Sequence, residues 1–161
     1  MIDISFLLVS LEDYRPQVNK ILSIQTNYSY EIVVCSDHLY KEYNNTPVVF
    51  IEDEEQNGSC SAFNKAYKNS SGQYLITLTG VVLPPDNIYE LVGELQKQEE
   101  DNCKLVVTSM SCSTGTVCPI PIGFPGRRRI SDYEFGILRW PAFSKKTVEK
   151  YLGGNIWPQE F

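Results

Sequence analysis

At 161 residues, with 42% hydrophobic residues, 21% charged residues and a net charge of −6, the chain suits one domain that buries roughly two thirds of its unfolded surface. The acidic balance excludes a general nucleic-acid binder, which needs a basic face to displace counterions. No apolar run is long enough to cross a membrane.

The opening MIDISFLLVSLED carries Asp3 where a secretory signal has basic residues, and its apolar run is only Phe6 to Val9. It reads as a core strand over Ile4 to Ser10, buried on both faces, and the expected location is cytoplasmic. Pro16 suits a helix start, and Val18, Ile21 and Leu22 then give one apolar stripe through about Gln25. Tyr30 to Cys35 is the second strand and Pro47 to Ile51 the third. Asn57-Gly58-Ser59 is turn chemistry, and Ser59 or Ser61 can cap a helix running to about Asn69. Gly72 can close that helix in a left-handed conformation. Gln73 to Leu78 is the fourth strand. Asp86 can cap a helix whose Ile88, Leu91, Val92 and Leu95 fall at helical spacing. Leu105 to Thr108 is a fifth strand.

Strands alternating with helices in this way predict an α/β fold with a mostly parallel sheet covered by helices on both faces. Ligands of such sheets bind beyond the carboxyl ends of the strands. That places a site at the ends near Ser10, Asp37 and Thr79. The rest of the chain differs. Ser111 to Gly126, rich in Ser, Thr, Cys, Pro and Gly, reads as a long loop or an irregular hairpin. Phe135 to Trp140 reads as a strand, and Ser144 to Tyr151 as a short helix closed by Gly153-Gly154.

The acidic runs Glu52-Asp53-Glu54-Glu55 and Glu99-Glu100-Asp101 read as solvated loops. Five cysteines (35, 60, 103, 112 and 118) form no C-x-x-C, and with one His they give no zinc set. They read as reduced thiols, with Cys35 and Cys60 in the core. Four Asn-x-Ser/Thr sequons begin at Asn27, Asn44, Asn57 and Asn69 and read as chance matches in loops. Tyr14, Tyr74, Trp140 and Trp157 read as core or rim.

Several local signatures, in order, resemble the family-2 glycosyltransferases of the GT-A fold. ISFLLVSLEDYRPQVNKIL is similar to the family's opening strand and turn, with Val9-Ser10-Leu11-Glu12 at the turn. YEIVVCSDHL looks like the family's Glu-Ile-Ile-Val-Val-Asp-Asp-Gly-Ser, with Ser36 at the first Asp and Asp37 at the second. NGSCSAFNKAYKNSSGQYLITL resembles the family's Asn-Gly, Ala-x-x-Asn helix and following strand. Leu83-Pro84-Pro85-Asp86 matches the turn after the metal motif, and PAFSKKTVEKYLGG looks like the segment before the catalytic acid. The resemblance covers nearly all of the chain. It implies one GT-A-like domain over 1–161, with a donor-binding half at 1–109 and a partial acceptor-side half at 110–161.

The family moves a sugar from a nucleotide diphosphate donor to an acceptor hydroxyl. The resemblance therefore implies a nucleotide-sugar donor, UDP-linked, a glycan or other hydroxyl acceptor, inversion at the anomeric carbon and a possible oligomer. It implies nucleotide contacts at Ser10, Leu11 and Glu12, which are otherwise a turn. Asp37 would accept from the base edge and is otherwise a helix N-cap. Asn57, Gly58 and Asn64 would shape the pocket and are otherwise a turn and a helix surface. Thr79 and Gly80 stand beside the nucleotide where the family's Asp-x-Asp belongs. The sequence there, Thr79-Gly80-Val81-Val82, has no carboxylate for the usual Mn²⁺ or Mg²⁺, so no cofactor is expected and no residue is assigned to metal. Arg127, Arg128 and Arg129 form the only dense basic cluster, suited to phosphate or acceptor contact and otherwise a solvated loop. The base of the family follows the Gly-Gly segment at a distance the chain does not reach, which leaves Glu160 as a weak candidate.

Two rivals stand beside the transferase reading. One is an inactive pseudo-transferase that binds a nucleotide sugar or a partner. The other is an unrelated doubly wound nucleotide-binding domain, for which the sequence supplies neither Gly-x-Gly-x-x-Gly nor Gly-Lys-Ser/Thr.

Overall fold

The computed structural model describes residues 1–79, 83–100, 104–111, 117–124, 138–151 and 153–156. A single seven-stranded sheet runs through it. The strands are β1 (Ile4–Val9), β2 (Tyr30–Ser36), β3 (Val48–Glu52), β4 (Tyr74–Thr79), β5 (Lys104–Ser111), β6 (Val117–Phe124) and β7 (Leu138–Ser144). The helices are α1 (Arg15–Ser23), α2 (Ser59–Lys68), α3 (Glu90–Glu100) and α4 (Lys145–Tyr151). The spatial order is β3-β2-β1-β4-β7-β5-β6. β1, β2, β3 and β4 pair in parallel, with Ile4 opposite both Tyr30 and Tyr74. β7 runs antiparallel between β4 and β5, and β6 runs antiparallel on β5. Five strands therefore point one way and two the other, the mostly parallel sheet that the sequence predicts.

β1, β2 and β4 are buried on both faces, which is why they are apolar without alternation. Ile4, Phe6 and Leu8 of β1 pack with Ile32, Val34, Ile76 and Leu78 against Val18 and Ile21 of α1 and Ile88, Leu91, Val92 and Leu95 of the α3 segment. Leu7, Val33, Cys35 and Leu75 face the other way, onto Ala62, Phe63, Ala66 and Tyr67 of α2 and Val148 of α4. Fully burying one such aliphatic side chain stabilises by about 1.5–3 kcal/mol. The two layers together outweigh any single polar contact described below.

Several local expectations are corrected. Asp86 does not cap α3. Residues 86–89 form turns in which Ile88 N–H donates to Pro85 O at 3.1 Å and Glu90 N–H to Asn87 O at 3.0 Å. Asp86 is free to pair with Lys20 of α1 instead. Neither Ser59 nor Ser61 caps α2. Gly58 holds the cap position at φ 91° with no side-chain cap, and Ser59 opens the helix. Gly72 is not left-handed. A Cβ there would lie 2.5 Å from the backbone nitrogen and hydroxyl of Ser5, so the residue is needed for close approach to β1.

Ser111 to Gly126 is expected as a long loop or an irregular hairpin from its richness in Ser, Thr, Cys, Pro and Gly. The described part is a regular antiparallel pairing of β6 on β5, from Lys104 opposite Phe124 to Ser111 opposite Val117. Pro119 and Pro121, two residues apart, sit on the outermost strand, where a residue without a backbone donor is tolerated. β7 starts at Leu138 and runs through Pro141 to Ser144, later than the predicted strand. Its pairing with β5 shifts between Val107 opposite Ala142 and Ser109 opposite Arg139, so one extra β7 residue bulges out beside Pro141. α4 opens at Lys145, where the Ser144 hydroxyl accepts from Thr147 N–H at 3.1 Å. No helix among the described residues is long and apolar enough to cross a membrane.

Candidate functional site

The carboxyl ends of the parallel strands emerge together because β1, β2, β3 and β4 are in register. Past β1 the chain turns sharply. The Ser10 hydroxyl accepts from Glu12 N–H at 3.1 Å, and Ser10 N–H donates to Cys35 O on β2. This local side-chain bond substitutes for the ladder bonds that end there. It leaves Leu11 66% exposed, an apolar side chain offered to solvent at the end of a core strand.

A cleft of about 420 Å³ opens between this turn and the start of α2. Val9, Ser10, Leu11 and Glu12 form one wall. The other comes from the loop after β3, with Asp53, Gln56 and Gly58, and from Ser59 and Ala62 of α2. Gln56 is left-handed at φ 46°, a conformation a side-chain-bearing residue adopts at a cost, and it turns the chain toward the cleft ahead of Gly58. Among the described residues, the lining carries two carboxylates, Glu12 and Asp53, and no Lys or Arg.

Asp53 is the most constrained of these groups. It is only 4% exposed. Its N–H donates to Ser36 O at 3.0 Å, which fixes the backbone against β2. Lys65 Nζ on α2 donates to Oδ1 at 2.9 Å. The same bond, with the charge of Asp53, pushes the Lys65 ammonium above its ordinary range. The acidic run 52–55 is thus not uniformly solvated. Glu52, Glu54 and Glu55 are exposed, whereas Asp53 turns inward. Beside it Cys35 is buried, and desolvation pushes its thiol to about 11. Cys60 is partly exposed rather than core, and both thiols are free.

The other predicted site residues divide. Ser10, Leu11, Glu12 and Gly58 come together at the cleft. Asp37 lies just past β2 and is exposed. No helix begins at it, so the N-cap alternative fails; the next element is a single 3-10 turn at Lys41–Tyr43. The loop that carries Asp37 is held by Tyr14, whose hydroxyl donates to His38 O at 2.7 Å. Asn57 is exposed and donates to Glu55 Oε2 at 2.8 Å. Asn64 is buried, and its Oδ1 accepts from Ile156 N–H at 3.0 Å, which ties the Gly153-Gly154 segment to α2. Thr79 ends β4 opposite Val9. Gly80, Arg127, Arg128, Arg129 and Glu160 lie outside the described residues, as do Cys103 and Cys112. Among the described residues no group of three or more His, Cys, Asp or Glu is placed to hold a metal ion.

Sequence reasoning missed Asp53, Gln56, Ser59 and Ala62. The signal for Asp53 was available: it is the first residue past β3, and the rule that sites gather at carboxyl ends applies to the third strand as to the first two.

No family model matches the chain, and no curated protein matches it. Solved structures do. The chain is similar to residues 1–349 of TarS from S. aureus, with a TM-score of 0.61 at 13% identity over 99% of this chain and 51% of that one. It is similar to the mannosyltransferase PcManGT from Pyrobaculum calidifontis, solved with GDP-Man and Mn²⁺, with a TM-score of 0.61 at 14% identity over 98% of this chain and 48% of that one. TarS in complex with UDP-GlcNAc superposes over 74% of this chain at a TM-score of 0.50. The chain therefore spans about half the length of these glycosyltransferases. At such low identity the likeness establishes architecture, and the architecture is the GT-A glycosyltransferase fold.

Proposed function

We propose that the cleft binds the nucleotide of a sugar nucleotide, and that the chain acts in transfer of a sugar from that donor to an acceptor hydroxyl. One observation carries the reading: within a GT-A fold, the cleft lies at the carboxyl ends of β1 and β3, where this class of sheet binds its ligands. The neighbours of known structure were solved with UDP-GlcNAc and with GDP-Man, which supports a nucleotide diphosphate sugar as the class of ligand.

Departure of the nucleotide diphosphate leaves negative charge that needs fixed positive groups or a cation. Thr79-Gly80-Val81-Val82 brings no carboxylate and does not fit Mn²⁺ or Mg²⁺, so the reading routes no step through a metal. The Arg127-Arg128-Arg129 cluster is the proposed source of positive charge. The acceptor hydroxyl would lose its proton to a base that this chain's residues do not identify.

The acid-free 79–82 segment also favours a second reading, a binding module that holds the sugar nucleotide without turning it over. Two measurements separate the readings. Calorimetry with UDP, GDP, UDP-GlcNAc and GDP-mannose should register binding of at least one; no heat from any removes the donor site. Product assays with and without EDTA come next. Transfer or hydrolysis that survives EDTA supports a metal-independent transferase, and binding without turnover supports the module.

A further inference from the structure

We infer that Asp53, set by Lys65, is the specificity-determining acceptor of the cleft and selects a nucleobase that presents a ring N–H. The inference rests on the donor reading above and assigns to the end of β3 a role that the sequence resemblance gives to Asp37 at the end of β2.

The argument starts from what the cleft offers. Among the described residues its lining has two carboxylates and no cation, so these walls suit the neutral end of the ligand better than the diphosphate. Asp53 is buried on that lining, and a buried carboxylate must be satisfied. Lys65 Nζ donates to Oδ1 at 2.9 Å, and a carboxylate offers acceptors only. The Asp53 N–H on Ser36 O, at 3.0 Å, fixes the backbone from which the carboxylate projects. Oδ2 has no hydrogen bond to any described residue. The group is thus oriented by two partners, with one oxygen left to a ligand.

The alternative acceptors are worse placed. Asp37 is exposed and lies outside the residues that line the cleft. Ser36, where the resembling family has its first Asp, is buried and short, and its carbonyl is spent on Asp53 N–H. An acceptor-only oxygen reads a donor. At the ring position uracil offers N3–H and guanine N1–H, whereas adenine and cytosine present an acceptor nitrogen there and donate only from the exocyclic amino group. A hydrogen bond of this kind discriminates because the wrong base turns a ring lone pair, not an N–H, toward Oδ2.

The test is calorimetry on the full chain with UDP and GDP, their N3-methyl and N1-methyl analogues, and CDP and ADP. For whichever of UDP or GDP binds, methylation of the ring nitrogen should weaken affinity by about tenfold or more, and CDP and ADP should bind at least as weakly. Asp53→Ala should weaken the parent nucleotide and bring it within about twofold of its methyl analogue, which separates a lost hydrogen bond from a simple clash of the methyl group. Asp53→Asn, which keeps shape and fold, should leave an intermediate gap. Lys65→Gln should weaken binding several-fold without abolishing the gap, as expected of a positioning residue. An undiminished gap in Asp53→Ala or Asp53→Asn, or ADP or CDP binding as tightly as UDP and GDP, overturns the inference while leaving the donor site intact. Failure of every nucleotide to bind removes the donor reading itself, and this inference with it.

Discussion

The two ends of the parallel sheet are built to opposite specifications. At the amino ends, hydrogen bonds close the structure. Glu31 Oε1 accepts from the Ser5 hydroxyl at 2.5 Å, from Ser71 N–H at 2.6 Å and from the Ser71 hydroxyl at 3.0 Å. The Ser5 hydroxyl in turn accepts from Gly72 N–H at 2.8 Å. Lys145 seals the same end, with its N–H on Gln73 O and its ammonium on Ser70 O. At the carboxyl ends lie the cleft, the left-handed Gln56 and Gly58, and exposed Leu11, Leu39 and Leu83. One end is closed by its hydrogen bonds and the other opens into the cleft. Substitutions at the first should therefore cost stability and those at the second should cost binding.

The largest effect is expected at Gly72. A methyl group there meets Ser5 N and Oγ at 2.5 Å and Ile4 C at 2.7 Å, and two of those three atoms are backbone of a central strand. Gly72→Ala should destabilise by about 3 kcal/mol, since β1 cannot retreat from β2 and β4. For a chain of this size that is a fall in melting temperature of about 6–12 °C. An unchanged melting curve would mean that the amino end is looser than its contacts imply. Ser5→Ala follows. It leaves the buried Gly72 N–H without its partner and removes one donor from Glu31, at a cost of about 2 kcal/mol. Nucleotide binding should be unaffected, and a loss of binding without a loss of stability would break the division between the ends.

Which of these features the sequence revealed follows from the physics of each. β1 to β4 were legible because strands buried on both faces must be continuously apolar, and Ile88, Leu91, Val92 and Leu95 because a buried helix face must recur every turn. The β5–β6 pairing was obscured by Pro119 and Pro121, whose compatibility with an edge strand depends on which strand lies outermost. That is a property of the whole sheet. Gly72 was read as a helix terminator because its local sequence fits one. Its real constraint is Ser5, sixty-seven residues away. At the cleft, the Ser10–Glu12 turn was visible because it directly follows a strong strand. Asp53 was hidden among three exposed acids, and only the fold shows that its side chain alone turns inward.

At the open end the expected stability effects shrink. Leu11 is a good probe because it is exposed and lines the cleft. Leu11→Ser should change stability by less than about 0.5 kcal/mol, within the range of ordinary surface substitutions. The same substitution should weaken nucleotide binding several-fold by removing apolar contact at the wall. A stability loss comparable to that of Ser5→Ala would show that this turn is part of the core scaffold.

The smallest effect belongs to Asp13, just past the cleft turn. Its carboxylate accepts from Arg15 Nε at 2.9 Å and Nη2 at 2.7 Å, and from Arg15 N–H at 3.0 Å. The Arg15 side-chain bonds and then the backbone bond hold Asp13 at about 2, below its ordinary value of 3.8. A folded-state value below the unfolded one means that the contribution is complete above about pH 3.8 and disappears as pH falls toward 2. Both side chains are 44% exposed, so solvent screens the pair and its contribution is small despite favourable geometry. Asp13→Asn should therefore lower the melting temperature slightly at pH 7, and the difference from the parent chain should vanish near pH 2. A difference that grew with acidification would reverse the sign argument, since the carboxylate would then be stabilising the fold in its protonated form.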